Sequence, residues 1–181
     1  YDRKKVSASI VHLGLGAFHR AHQALMTEAV LNSGDLAWGI VGAGMQSSGM
    51  RDALAPQDCL YAVAEFGADF ERISVVGAIV DTVGGAEDAE KVRLLAKMSD
   101  VSTRIVSITV TEKGYYLDLA TGKLQLQSPA IAADLANPAL PKTILGLIVY
   151  ALRNRKAAGI QPFTVLSCDN LPNNGKLARA A

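Results

Sequence analysis

The stretch Ile10-Val-His-Leu-Gly-Leu-Gly-Ala-Phe-His-Arg-Ala-His22 decides the fold. The apolar run Ser9 to Leu13 predicts a buried strand, and Gly14-x-Gly16 a tight turn. From Ala17 to about Ser33, apolar residues at Ala21, Leu25, Ala29 and Val30 keep helical spacing, and Asn32-Ser-Gly34 ends the segment. Strand, glycine turn and helix in this order make the first half of a βαβ unit, whose helix N-terminus receives phosphate oxygens. The first glycine permits the turn and the second lets a pyrophosphate approach the backbone. His19 stands where a third glycine is usual, the position that serves helix-to-strand packing and is most readily replaced. Such a turn also occurs in sheet proteins that bind no nucleotide, so the rest of the chain must support the reading.

Moving outward, Ala37 to Gly42 reads as a second, parallel strand. Leu60 to Phe66 and Arg72 to Val80 read as an antiparallel pair inserted beside the sheet, separated by Gly67-Ala-Asp69. Ala86 to Met98 is an amphipathic helix, Arg104 to Val110 a strand, and Lys142 to Ala158 a long helix that follows Pro141 and ends at Gly159. Between them, Leu117 to Pro141 reads as mostly loop with a helical patch at Ile131 to Leu135. Phe163 to Ser167 is the last strand, and a terminal helix begins at Asn174. The expected class is α/β: a Rossmann-like, mostly parallel sheet with helices on both faces and an inserted antiparallel strand pair. Residues 1–181 form one dinucleotide-binding domain.

Composition agrees. Half of the 181 residues are hydrophobic and 19% charged, the profile of a packed domain. Lys and Arg exceed Asp and Glu by 18 to 17 without a dense basic cluster, which argues against nucleic acid. Cys59 and Cys168 are far apart and form no CxxC pair, so neither a metal site nor a disulfide framework is expected. The longest apolar run, Thr143 to Leu152, is too short for a bilayer span of roughly 20 residues. With no signal-peptide pattern before the first strand, the cytoplasm is the expected compartment.

The candidate site residues follow from position. Gly14, Gly16 and Ala17 form the turn, and Arg20 in the first turns of the helix is a cation available to an anionic ligand, or a capping residue. His19 and His22 share that choice; His12 inside the strand reads as a satisfied core residue, and Lys113 as solvated. The loop after the second strand, Gly44-Met-Gln-Ser-Ser-Gly-Met-Arg-Asp52, has no carboxylate directly after the strand, where one would hold the ribose hydroxyls. Ser47, Ser48 and Arg51 suit a 2′-phosphate equally, so these residues leave NAD against NADP open; the cofactor expected for the whole chain is NAD, with NADP not excluded. Asp169 and Asn170 leave the last strand at the sheet's carboxyl edge, where ligands bind. The Asn170 amide suits a substrate oxygen that gains negative charge; by spacing alone, a turn that caps the terminal helix fits as well. Cys168 reads as a small buried hydrophobe.

Four motifs resemble the N-terminal domain of the mannitol dehydrogenase family, the polyol-specific long-chain dehydrogenases that include hexuronate reductases. They are Gly14-Leu-Gly-Ala-Phe-His-Arg-Ala-His-Gln23, Thr111-Glu-Lys-Gly-Tyr115, Pro141-Lys-Thr143 and Ser167-Cys-Asp-Asn-Leu-Pro-Asn-Asn-Gly175, spread over almost the whole chain in the family's order. The resemblance implies metal-independent hydride transfer between NAD(P) and C2 of a sugar alcohol, giving a ketose, or the corresponding reaction of a hexuronate. It also implies Phe18 at the cofactor, Glu112 and Tyr115 beside the nicotinamide, and Asn170 as a catalytic residue that polarises the reacting oxygen. Two departures stand out. Ser48 and Gly49 occupy the place of an acidic pair found in NAD-preferring members, and the family's catalytic lysine belongs to a helical C-terminal substrate domain absent from this sequence. The 181-residue chain is therefore expected to bind nucleotide but to turn over slowly or not at all. The alternatives are a stand-alone nucleotide-binding sensor or scaffold without catalysis, and a sugar-phosphate enzyme that uses the glycine turn for its substrate's phosphate.

Overall fold

The computed structural model describes residues 1–118 and 121–181, apart from the side chains of Glu112 and Lys113. The chain runs β1 (Ala8–Leu13), α1 (Ala17–Ala21), α2 (Gln23–Asn32), β2 (Gly39–Gly44), α3 (Gly49–Leu54), β3 (Tyr61–Phe66), β4 (Glu71–Val76) and β5 (Ile79–Gly84). It continues through α4 (Asp88–Ser99), β6 (Ile105–Ile108), a 3₁₀ turn at Glu112–Tyr115, β7 (Leu117–Asp118), β8 (Lys123–Leu124), α5 (Pro129–Ala136), α6 (Ile144–Ala157), β9 (Thr164–Ser167) and α7 (Asn174–Ala180). Strands β5-β2-β1-β6-β9 form one parallel sheet, with Val11 opposite Val41 on one side and Val106 on the other.

Both faces of this sheet are covered, which is why its inner strands read as nearly continuous apolar runs. Val11, Leu13, Val41, Val83, Val106 and Ile108 face Leu94, Met98, Leu147 and Ala151 of α4 and α6. Ile10, Ile40 and Ile79 face the other way, toward Ala24 and Leu31 of α2 and Leu54 of α3. The β3–β4 ribbon is the expected antiparallel pair, from Tyr61 opposite Val76 to Phe66 opposite Glu71. It leans on α1 and α2: the Tyr61 hydroxyl donates to Arg20 O (2.7 Å), and Gly77 N–H, just past β4, donates to Glu28 Oε2 (2.7 Å).

Three expectations are corrected. Arg72 to Val80 is not one strand: it divides at Gly77, and its second part belongs to β5, which pairs with β2 in the main sheet. The helix expected from Ala17 to Ser33 is interrupted at His22, where φ is −123° and ψ −81°. The stretch read as loop from Leu117 onward holds the β7–β8 pair and an eight-residue helix, α5, with Pro129 in its first turn. Among the described residues, no helix is long and apolar enough to cross a membrane.

Candidate functional site

The glycine turn sits at the carboxyl end of β1, the middle strand of the sheet. Gly14 N–H donates to Ala43 O (3.0 Å) and Gly16 N–H to Gly14 O (2.6 Å), so the chain doubles back within three residues. Gly14 has φ +114°, and a Cβ there would lie 2.5 Å from Thr109 Oγ1 and 2.7 Å from Thr109 O. Only glycine fits between the turn and the end of β6. Gly16 differs: the nearest atom to a Cβ built on it is Gly14 O at 3.8 Å, so its outer side is open to a ligand's approach. The first intrahelical bond runs from Arg20 N–H to Gly16 O (3.2 Å), which leaves the Ala17, Phe18 and His19 N–H groups ahead of the ladder.

Beneath the turn lies a buried polar network. His12 and His19, 0% and 1% exposed, stack with centroids 3.5 Å apart and planes 10° apart. His12 Nε2 lies 3.1 Å from both Gly14 O and Thr109 Oγ1, and its Nδ1 lies 2.8 Å from Ser107 Oγ. Gln23 Oε1 joins Ser107 Oγ (3.2 Å) to His19 Nδ1 (3.0 Å). Burial, with the neighbouring His19 adding to it, lowers the His12 pKa to about 3. Burial likewise lowers His19 to about 4, against the hydrogen bond to Gln23. Both rings are neutral at neutral pH. His19 therefore occupies the replaceable glycine position as a packing residue and offers no charge to a phosphate. Arg20 turns back beneath the loop, where its guanidinium donates to Leu15 O (3.1 Å) and meets Met50 Sδ (2.7 Å).

Phe18 is half exposed, with its ring against His22 at 4.5 Å. It lines two cavities, one at the carboxyl edge and one that runs from there along α2. One, of about 380 Å³, is lined by Thr109, Thr111, Asp169 and Asn170. The other, of about 640 Å³, lies toward α2, with Met26, Trp38 and Leu166 in its walls and Asp169 and Asn170 again at its rim. Asn170 is exposed at the junction.

Asp169 is turned toward the protein. Its carboxylate accepts from the Tyr115 hydroxyl, from Ser167 Oγ (2.7 Å) and from Leu171 N–H (3.0 Å). Asn174 Nδ2 donates to the carbonyls of Ser167 (3.3 Å) and Asp169 (3.1 Å). Burial opposes ionisation of Asp169, but the hydrogen bonds from Tyr115, Ser167, Leu171 and Asn174 outweigh it and lower its pKa. Tyr115 is 2% exposed, and burial together with Asp169 pushes its phenol up to about 12. Asp169, Ser167 and Tyr115 thus hold the loop that carries Asn170. Asp169 braces the turn without capping α7, whose N-cap is Asn173, while Asn170 lines both cavities.

At the other end of the edge, Ser48 precedes α3 and its carbonyl accepts Asp52 N–H (2.8 Å). The Glu112 and Lys113 side chains lie outside the described residues. Pro141-Lys-Thr143 starts α6: Thr143 Oγ1 accepts Gly146 N–H (2.9 Å), and buried Asp134 accepts Lys142 N–H (2.7 Å), Thr143 N–H (3.0 Å) and the Thr143 hydroxyl (2.6 Å). Among the described residues, no group of three His, Cys, Asp or Glu is arranged to hold a metal ion. Cys168 is only half buried, not the core residue expected. Sequence reading passed over Ser107, Thr109 and Gln23. For Ser107 and Thr109 the signal was there, polar residues at every second position of an otherwise apolar strand.

Comparison with known proteins agrees with this geometry. The model for the mannitol dehydrogenase Rossmann domain matches residues 8–181. The chain is 47% identical to a mannitol 2-dehydrogenase of Cereibacter sphaeroides, covering 100% of this chain and 38% of that one. It is 44% identical to the D-mannonate oxidoreductase of Escherichia coli, again covering 100% and 38%. The solved ternary complex of Pseudomonas fluorescens mannitol 2-dehydrogenase with NAD and D-mannitol superposes with a TM-score of 0.93 at 43% identity, over 99% of this chain and 37% of that one. A substrate-free D-sorbitol dehydrogenase gives a TM-score of 0.91 at 41% identity, over 100% and 38%. The chain thus spans less than two fifths of the length of these relatives.

Proposed function

The chain belongs to the mannitol dehydrogenase family, and from that premise we propose that it is the NAD-binding domain of an oxidoreductase that moves hydride between a nicotinamide cofactor and a sugar alcohol, its ketose, or a hexuronate. One observation carries this: a glycine turn with an open second glycine and an exposed asparagine share the carboxyl edge of one parallel sheet, the place where such sheets bind ligands.

The residues present fit a dinucleotide. Gly16 leaves room for a pyrophosphate, the N–H groups of Ala17 and Phe18 precede the helical ladder, and Phe18 and Thr111 wall the cavity next to Asn170. When bound, the nicotinamide accepts or delivers the hydride. Asn170 donates its amide N–H to the substrate oxygen, stabilising the negative charge that grows there. Asp169, Ser167 and Tyr115 keep that amide in place. The base that takes the hydroxyl proton is assigned to a further domain of a polypeptide as long as the relatives, in line with the share of their length that this chain spans. The cytoplasm is the proposed compartment.

Gly16→Val tests the reading. A side chain at this position, open in the structure, projects into the space a pyrophosphate needs, so NADH binding followed by fluorescence titration is expected to fall at least about tenfold with the circular dichroism spectrum unchanged. Unchanged affinity would return the turn to a structural role. Binding of a sugar phosphate with no dinucleotide binding would favour a sugar-phosphate enzyme instead.

A further inference from the structure

The parallel sheet is covered unevenly. On its α4 and α6 side, Val165 of β9 packs against the core that holds Val11 and Val106, and Leu177 and Ala178 of α7 pack there too. On its α2 side, cover runs out toward β9. His12, Ser107 and Leu166 are neighbours in register, and exposure rises from 0% at the first two to 43% at Leu166. Thr164, which shares that side of β9, is exposed as well. Parallel sheets are built with both faces covered, so β9 lacks half of its cover.

Helices α1 and α2 form the facing wall. Phe18, His22, Met26 and Val30 recur at every fourth residue along them and make one stripe. Phe18 is 50% exposed, Met26 70% and Val30 40%. This stripe and Leu166 border the cavity of about 640 Å³ that has Asn170 at its rim. Among the described residues, no Lys, Arg or Glu lines it, and its one carboxylate, Asp169, is turned toward Tyr115 and Ser167. An open apolar groove of this kind suits an apolar protein surface, not a nucleic acid or a charged peptide.

Two observations identify what covers it. This chain corresponds to 38% of one mannitol 2-dehydrogenase and superposes on another with a TM-score of 0.93, so the rest of such a polypeptide is added around an unchanged core. The base assigned above to a further domain must also come within hydrogen-bond reach of the oxygen that Asn170 holds, and Asn170 opens onto this groove. We propose that the groove between α2 and β9 is the seat of the base-bearing domain of such a polypeptide. One helix of that domain lays its apolar stripe on Met26, Val30 and Leu166, as α6 covers the opposite face of the sheet. The proposal rests on the function proposed above.

Met26 reports on the groove without any substitution. Its oxidation by hydrogen peroxide, located by peptide mass spectrometry, is compared in the 181-residue chain and in a polypeptide of the relatives' length. Met26 is expected to oxidise at least about tenfold more slowly in the longer polypeptide, because oxidation follows exposure. Met98, buried in this chain, serves as the slow reference in both. Equal rates at Met26 overturn the proposal, and so does protection in the 181-residue chain that grows with protein concentration, which puts a second copy in the groove. A second measurement ties the seat to the base. In the longer polypeptide, Met26→Lys/Leu166→Lys places unpaired charge under the docked helix, so kcat for hexitol oxidation is expected to fall at least about tenfold with the NADH dissociation constant unchanged. An unchanged kcat overturns the proposal. Because the oxidation is read without nucleotide, failure to bind NADH sinks the cofactor reading, whereas an unprotected Met26 beside normal NADH binding sinks the docking alone.

Discussion

His12 and His19 are a stacked pair of imidazoles sealed beneath the turn, and burial fixes both in the neutral form. Their pKa values lie below 6.5 in the folded chain and near it in the unfolded one. They therefore contribute stability above pH 6.5 that is lost as pH falls through about 4 and then about 3. At pH 4 the cost is on the order of 3 kcal/mol for each ring. Urea unfolding at pH 7.5 and pH 4 is expected to show this loss and to show about half of it in His19→Gln, which keeps a polar partner for Gln23 and leaves His12 in place. Equal acid sensitivity in the two proteins would mean that other groups govern it. The residue scale is also where sequence reading reaches its limit. His12 was legible as core, being one polar residue inside an apolar strand. Asp169 and Asn170 were not separable, because adjacent residues leaving a strand point to opposite sides and nothing local says which side is the crevice.

Among the elements, α6 depends on a residue outside itself. The Asp134 carboxylate, buried on α5, takes two backbone N–H groups and a hydroxyl at the α6 N-terminus, where negative charge also meets the positive end of the helix dipole. Asp134→Ala strands these donors, and a loss of about 3 kcal/mol is expected in denaturant unfolding. Thr143→Ala, which keeps the Asp134 bonds to the two backbone N–H groups, should cost less, about 1 kcal/mol. The elements themselves were mostly legible, since periodicity and glycine stops are local signals. One was not, and one was legible only in part. Ile73 to Val80 is a β-rich run broken only by Ser74 and Gly77-Ala78, and pairing with β2, more than thirty residues away, is what makes β5 a separate strand. Helix α5 was legible as the patch Ile131 to Leu135; its start at Pro129 was not, and its buried Asp134 is held at the α6 N-terminus.

Across the whole molecule, the two halves of the proposed chemistry share one sheet edge: the glycine turn after β1 for the cofactor's pyrophosphate, and the loop after β9 that presents Asn170. The motifs were readable because each lies where a strand ends, but the ion pairs of Arg51 with Glu87 and Glu90 were not: these residues meet only when β5 lies beside β2. Division of labour between turn and loop predicts how mutations separate binding from turnover. In a polypeptide of the relatives' full length, Asn170→Ala removes one donor to the developing oxyanion. The expected loss is about 3 kcal/mol in transition-state stabilisation, or roughly two orders of magnitude in kcat. The NADH dissociation constant should move far less, because the proposed reading gives Asn170 to the substrate and Gly16 to the pyrophosphate. Stopped-flow binding and steady-state oxidation of hexitols, measured on the same preparation, check both quantities. Parallel losses in binding and turnover would show that the residue holds the fold of the loop, a task the structure gives to Asp169, Ser167 and Tyr115.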